Sequence, residues 1–317
     1  MLFTLSFVLS MLFSFVVSIS NTPFFRKDYV YLERQKSFYK IHTIHRTWQD
    51  AKKRCAMEGA KFYYPQDADE VHDVITFWNN TQSFHWIYVG ISDLLSKGSY
   101  ETFDGIPVVD IYSNWAQGEP NDINGEEDCV TLRRDSELND TPCGHKYPFA
   151  CKKTLSTLEW NNLCDMPDSR YLYTGDTGKC YKIHVSPLSW LDAHAHCYAE
   201  QSYLTVINSK KEVDHLIKLI QTTSKPKLPA NALAESVHIG FHNRDDEGWR
   251  TIKGTTLGES GYVNWDANQP NGNNKCGSMT FDGKLKNVDC NSKSIFICEH
   301  DISILASSLE ERIALPH

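Results

Sequence analysis

The sequence predicts an α+β fold that occurs twice, and three observations carry that reading. Four cysteines recur in the same order at nearly the same intervals, apolar residues at helical spacing open each half, and the later part of each half is rich in Gly, Asn and Asp with short apolar runs between. The length agrees: 317 residues correspond to two domains at roughly 100–200 residues each. With 41% hydrophobic and 23% charged residues the chain has a globular composition. Its net charge of −8 argues against general nucleic-acid binding, which needs basic surface to neutralise phosphates. The same charge gives no support to an anionic membrane as partner.

Residues 1–20 carry no charged side chain and end in Ser18-Ile19-Ser20, the pattern of a secretory signal peptide cleaved near Ser20. No Lys or Arg precedes the apolar run, and Arg26-Lys27 follow it, which leaves an uncleaved anchor as the alternative. The run from Phe7 to Val17 is shorter than the roughly 20 residues that span a bilayer. The expected protein is therefore secreted and extracellular, with no membrane span after signal cleavage, and disulfides are the default state of its cysteines.

The ten cysteines show the duplication directly. Cys129 and Cys143 are 14 apart, as are Cys276 and Cys290; Cys151 and Cys298 each follow 8 residues later. Cys55 and Cys197 complete the two sets, and Cys164 with Cys180 is left as an even pair, so no free thiol is demanded. The surrounding text repeats too. Tyr39-Lys40-Ile41-His42 returns as Tyr181-Lys182-Ile183-His184, and Trp48-x-x-Ala51-x-x-x-Cys55 as Trp190-x-x-Ala193-x-x-x-Cys197. Asn114-Trp115 returns as Asn264-Trp265, and Pro120-Asn121 as Pro270-Asn271. A unit this long is a duplicated domain, not a solenoid repeat. Trp48, Ala51 and Cys55 share one helix face; Val71, Val74, Ile75 and Trp78 mark a second helix, as do Val213, Leu216, Ile217 and Ile220 in the other unit. Cys129–Leu132 and Ile295–Cys298 read as short strands between long loops.

These residues resemble the C-type lectin-like domain, twice: residues 26–153 and residues 164–300, joined by a linker at 154–163 and followed by a tail at 301–317. The features that match are the W-x-x-A-x-x-x-C helix, the glycines at 90 and 240, the two Asn-Trp pairs and the cysteine spacing. The resemblance implies two helices per domain, short antiparallel strands and a long calcium-binding loop region. It implies disulfides Cys55–Cys151, Cys129–Cys143, Cys197–Cys298 and Cys276–Cys290, with Cys164–Cys180 stapling an N-terminal hairpin. Sequence alone leaves the connectivity open.

The informative stretch of the first unit is Glu119-Pro120-Asn121, then Glu127 before Cys129, then Asn139-Asp140 before Cys143. Ca²⁺ takes six to eight oxygen ligands in adaptable geometry, and this stretch offers oxygens without soft ligands. The resemblance makes Glu119, Asn121, Glu127, Asn139 and Asp140 both the calcium ligands and the carbohydrate-binding residues, with Pro120 in the cis form. Leu138 stands where the family usually has Trp. The Glu-Pro-Asn order implies sugars with equatorial 3- and 4-hydroxyls, of the mannose, GlcNAc and fucose type. A second calcium on Asp93, Asp122, Glu127 and Asp128 is opposed by Lys97, which stands where an acid is expected.

The second unit departs from the pattern. It has Gln269-Pro270-Asn271, Asn274 in place of Glu127, a Lys275 that repels cations, and Asn287-Val288-Asp289 before Cys290. It reads as a degenerate partner that keeps the fold. Trp249 and Trp265, read as exposed, carry no site, and Trp265 matches a core Trp. Asn79-Asn80-Thr81 is the expected glycosylation site; Asn139-Asp140-Thr141 is also a sequon, but in a constrained loop. The close pairs His42 and His45, and His194 and His196, read as packing or surface residues rather than a zinc site. Glu119 and Glu127 resemble a glycosidase pair less than calcium ligands, and no nucleophile motif appears, so the expected protein is not an enzyme. Ile302, Leu305, Leu309 and Ile313 have near-helical spacing and read as a frayed end rather than a self-association helix. The expected function is calcium-dependent glycan binding, microbial surfaces and innate defence entering by analogy only. Weak single-site affinity leaves oligomerisation open. The rival is a calcium-independent, protein-binding module.

Overall fold

The computed structural model describes residues 23–223, 229, 230 and 232–302. The expected signal peptide and all of the C-terminal spacing beyond Ile302 lie outside the described residues. Among the described residues no helix is long and apolar enough to cross a membrane.

The first unit runs β1 (Val30–Leu32), β2 (Ser37–Arg46), α1 (Trp48–Met57), β3 (Lys61–Phe62), α2 (Ala68–Thr81), β4 (Trp86–Ser92), β5 (Glu101–Thr102), β6 (Cys129–Arg133), β7 (Leu138–Thr141) and β8 (Tyr147–Thr154). The second repeats it as β9 (Leu172–Thr174), β10 (Lys179–Leu188), α3 (Trp190–Ala199), β11 (Tyr203–Leu204), α4 (Lys210–Thr222) and β12 (Ala232–His242). It ends with β13 (Arg250–Thr251), β14 (Cys276–Thr280), β15 (Leu285–Val288) and β16 (Lys293–Asp301). Strand order in the first sheet is β1-β2-β8-β4-β6-β7, and in the second β9-β10-β16-β12-β14-β15. Position by position these are the same sheet. Pairing is antiparallel except for β4 with β8 and β12 with β16, which run parallel at the centre.

Local chemistry starts the helices where the apolar stripes begin. Thr47 and Ser189 cap α1 and α3, each accepting from the backbone N–H three residues on, while the cap hydroxyl donates to Asp50 or Asp192. Asp67 and Ser209 cap α2 and α4 through the N–H of Glu70 and Glu212, and those carboxylates reach back to the N–H of Gln66 and Asn208. The predicted helix faces are the buried ones: Trp48, Ala51 and Cys55 on α1, Val71, Val74, Ile75 and Trp78 on α2.

Each helix is then fixed on its sheet by a directed bond. The indole N–H of Trp48 donates to the Val89 carbonyl at 2.8 Å, and that of Trp190 to the Ile239 carbonyl at 2.9 Å. The residue after each acceptor is glycine. A Cβ on Gly90 would meet the Phe103 ring and the Phe62 carbonyl; one on Gly240 would collide with the Leu204 carbonyl. Disulfides join Cys55–Cys151, Cys129–Cys143, Cys164–Cys180, Cys197–Cys298 and Cys276–Cys290, as the resemblance implied. The Cys129–Cys143 bridge holds the long loop between β5 and β6 against the end of β7.

At the C-terminal end of each first helix lies one buried carboxylate, the C-cap residue Glu58 or Glu200. Glu58 meets Lys40, His42, Arg54 and the Tyr29 hydroxyl; Glu200 meets Lys182, His184, His196 and the Tyr171 hydroxyl. His42 and His196 are thus partners of a structural carboxylate, and His194 stacks on Trp190. Cys151 and Cys298 come near these clusters but are disulfide-bonded, so neither offers a thiolate.

Candidate functional site

The loop between β5 and β6 and the strand β7 bring the five predicted side chains into two linked groups. At the centre is Asp140, on β7 and fully buried. Its Oδ1 accepts the Asn121 backbone N–H at 3.2 Å, and its Oδ2 accepts that of Asp122 at 2.8 Å. The Tyr100 hydroxyl lies 3.1 Å from the same Oδ2 and 2.9 Å from the Glu127 carbonyl. Glu119 hangs over this hub from a cis Glu119–Pro120 bond. Its Oε1 accepts from the Asn121 amide at 2.9 Å, while its Oε2 is buried with no hydrogen-bond partner. Glu127 accepts the Ile123 N–H at 3.0 Å, and the Asn139 amide donates to the Asp140 carbonyl.

The electrostatics of this arrangement are unfavourable without a cation. Burial, then the close approach and charge of the Asp140 carboxylate, push the Glu119 carboxyl up to about 7, with the charge of Glu127 adding to the effect. A buried carboxylate oxygen lacking a donor is costly, because water is removed and nothing replaces it. A hard cation relieves both penalties, and the donor set is entirely oxygen and amide. The residues present therefore fit Ca²⁺.

Sequence reasoning missed Tyr100, whose hydroxyl braces both Asp140 and the loop. Strand pairing sets β5 opposite β4 as β13 is set opposite β12, so Tyr100 corresponds to Trp249, which has no hydroxyl. Both rings pack edge-on against the Asn-Trp tryptophan, at 5.0 Å in the first unit and 5.3 Å in the second. Trp249 and Trp265 are thus half-buried packing residues, not exposed ones.

The proposed second calcium set is only partly assembled around a shared centre. Asp93, Asp122 and Asp128 face one another, but the Lys97 ammonium sits among them, 2.7 Å from both Asp122 and Asp128 and 4.0 Å from Asp93. Glu127 makes its contact elsewhere, with the Ile123 N–H. Asn79 is exposed on the last turn of α2.

In the second unit the register differs from the sequence reading. Strand β15 pairs with β14 as β7 pairs with β6, and Leu285 and Leu138 make matching bridges to Trp265 and Trp115. Asp140 is therefore matched by Asn287, and Asn139 by Lys286, rather than by the Asn287-Val288-Asp289 run as a whole. The Asn287 amide does the hub's work without charge. It accepts the Asn271 N–H at 3.0 Å and donates to the Asn271 and Asn274 carbonyls at 2.7 and 3.0 Å. Gln269 Oε1 accepts the Asn287 N–H at 3.0 Å. At the positions of Glu119, Glu127 and Asp140 this loop has the neutral Gln269, Asn274 and Asn287.

A lectin C-type domain model matches residues 44–153 and 186–300. Human collectin-10 is 30% identical over 120 residues, covering 38% of this chain and 43% of that protein. The secretory phospholipase A2 receptor of Mus musculus is 25% identical over 270 residues, covering 80% of this chain and 17% of that one. A hemolymph lipopolysaccharide-binding protein of Periplaneta americana is 28% identical over 126 residues, 37% of this chain and 49% of its own length. The chain thus spans less than half of each of these relatives. Among solved structures, the cow C-type carbohydrate-recognition domain of CD23, in the presence of a GlcNAc2Man3 oligosaccharide, is similar at 25% identity and a TM-score of 0.36, over 41% of this chain and 95% of that one.

Proposed function

Since this chain belongs to the C-type lectin family and carries its domain twice, we propose that the first domain binds carbohydrate through calcium and that the second keeps the fold without that site. The observation that carries the reading is a half-buried Glu119 beside the buried Asp140, with Glu119 Oε2 itself buried and left without a donor. Glu119, Asn121, Glu127, Asn139 and Asp140 would hold the ion, which supplies open coordination positions to two neighbouring sugar hydroxyls. The chain's own groups then set the preference. Ionised Glu119 only accepts hydrogen bonds, whereas the Asn121 amide also donates. The order of acceptor and donor suits equatorial 3- and 4-hydroxyls, as in mannose, GlcNAc and related fucose arrangements. The all-amide hub of the second domain supports a calcium-free role there.

One open site on one monosaccharide is weak, about millimolar or roughly −4 kcal/mol, so useful binding calls for dense glycans or clustered chains. Microbial surfaces fit that requirement. The name of the cockroach relative records lipopolysaccharide binding for that protein. In this reading the protein is a secreted binding protein, not a catalyst. The test is retention of the secreted protein on immobilised mannose in calcium, release by EDTA, and loss of retention in Asp140→Ala. Failure on mannan, GlcNAc and fucose matrices, with calcium present, would transfer the assignment to protein ligands. Exchanging the order with Glu119→Gln and Asn121→Asp should move preference towards galactose; unchanged mannose preference refutes the donor–acceptor argument.

A further inference from the structure

The contacts of Lys97 recur in the second domain with the charges exchanged. Two backbone bonds establish the correspondence. The Asp93 N–H donates to the Asp128 carbonyl at 3.0 Å, and the Asn243 N–H to the Lys275 carbonyl at 2.8 Å. Asp93 and Asn243 then close the same turn, accepting the N–H of Gly98 at 2.7 Å and of Gly248 at 3.0 Å. Asp128 and Lys275 each directly precede the first cysteine of the loop disulfide. In the first domain the turn supplies the cation, Lys97, and the strand entry supplies the acid, Asp128. In the second the turn supplies the acid, Asp246, and the strand entry supplies the cation, Lys275, the two being in direct contact.

We propose that a lysine ammonium is the resident cation at this position in both domains, Lys97 in the first and Lys275 in the second, and that it ties the long loop to the domain body with no metal ion there. Asp93 adds an independent observation. Its side chain is almost wholly buried, its Oδ2 accepts the Gly98 N–H, and its Oδ1 has no hydrogen-bond partner, so the turn holds a buried carboxylate that a nearby positive charge stabilises. Lys97 supplies that charge 4.0 Å from Oδ2, leaving Oδ1 unpaired, and it engages Asp122 and Asp128 together at 2.7 Å. The two domains reach the same tether with opposite polarity, which an incidental surface contact does not explain. The consequence is specific: the chain takes up at most one calcium ion, at the separate set around Asp140, and the turn-to-loop contact survives chelation.

Two measurements on the full secreted chain test this. The first is amide hydrogen exchange in EDTA, comparing the parent with Lys97→Met and Lys97→Arg. Losing a two-carboxylate contact should speed exchange of amides 93–98 and 122–128 by about fivefold in Lys97→Met, with Lys97→Arg restoring most of the protection. Lys275→Met should do the same for amides 243–248 and 272–275. Equal exchange in parent and Met variants overturns the tether. The second is the calcium count by native mass spectrometry. One ion per chain, lost in Asp140→Asn, is the expected result. Two ions, the second lost in Asp128→Asn, overturns the proposal. A count of zero refutes the calcium reading of the first domain but agrees with the tether, which the exchange data then decide.

Discussion

Two single carboxylates show how much one side chain can decide. Asp140 and Asn287 occupy the same position, and both collect the loop's backbone groups, so the fold there does not require the charge. Asp140→Asn should therefore leave the first domain folded while weakening calcium binding by about 100-fold or more, because affinity in such sites follows the charge of the ligands. Calorimetric titration checks this, with near-ultraviolet circular dichroism as the control for folding; undiminished affinity would remove Asp140 from the ligand set. Glu58 is the opposite case. Burial alone would raise its carboxyl, but His42, Arg26 and Lys40 outweigh burial and hold it well below the usual range. A carboxylate depressed in the folded state contributes stability above its unfolded value, near 4.5, and loses it progressively as pH falls below that. Glu58→Gln should cost about 3 kcal/mol at pH 7 by taking the carboxylate from Arg54 and His42 and leaving Lys40 only Asp28, with the difference from the parent narrowing below pH 4.5. Denaturant titrations at pH 7 and pH 3 measure it. A deficit as large at pH 3 as at pH 7 would contradict the assignment.

At the scale of elements, what was legible in the sequence was whatever local chemistry settles. The helix stripes, their caps and the short apolar strands are periodic, and each is stabilised by neighbours within a few residues. The glycines at 90 and 240 were visible as repeats, but their cause was not: it lies in a carbonyl from a strand more than twenty residues away. Gly240→Ala should destabilise the second domain by about 1–3 kcal/mol, the usual cost of forcing extra volume into packed backbone. Gly90→Ala should be milder, since the Phe103 ring can move and the Leu204 carbonyl cannot. Thermal unfolding of both variants tests the order; a larger loss for Gly90→Ala contradicts it. The candidate site divides the same way. Its five side chains could be picked out because their types and distances from cysteines repeat a known pattern. Tyr100 could not, because its hydroxyl reaches Asp140 from forty residues away along the chain. Asn287 stands three residues before Cys290 as Asp140 does before Cys143, so that match is legible in the spacing and the strand register agrees with it. The sequence places Lys97 where it opposes an ion, and only the folded arrangement shows it contacting Asp122 and Asp128.

For the whole molecule, duplication supplies an internal control. Both domains carry the same sheet order, the same tryptophan-to-carbonyl bond, the same loop disulfide and a cis proline in the same loop. They differ in the loop's ligand set: Glu119, Glu127, Asn139 and Asp140 in the first domain stand as Gln269, Asn274, Lys286 and Asn287 in the second. Any effect of calcium on one loop and not the other therefore traces to that difference rather than to the fold. A ligand that binds only the folded loop stabilises it by RT ln(1 + [L]/Kd), about 2.7 kcal/mol at one hundred times Kd, so opening of that loop should be suppressed by up to about 100-fold. Saturating calcium should accordingly slow amide exchange at residues 119–128 and 139–141, and leave residues 269–275 and 285–288 unchanged. The comparison is made within one molecule, so non-specific effects of salt or of the divalent ion register equally in both loops and cancel. Protection of both loops would mean that an amide hub also accepts the ion, and the separation of roles between the domains would fall. Protection of neither would leave the buried Glu119 oxygen without the partner its position calls for.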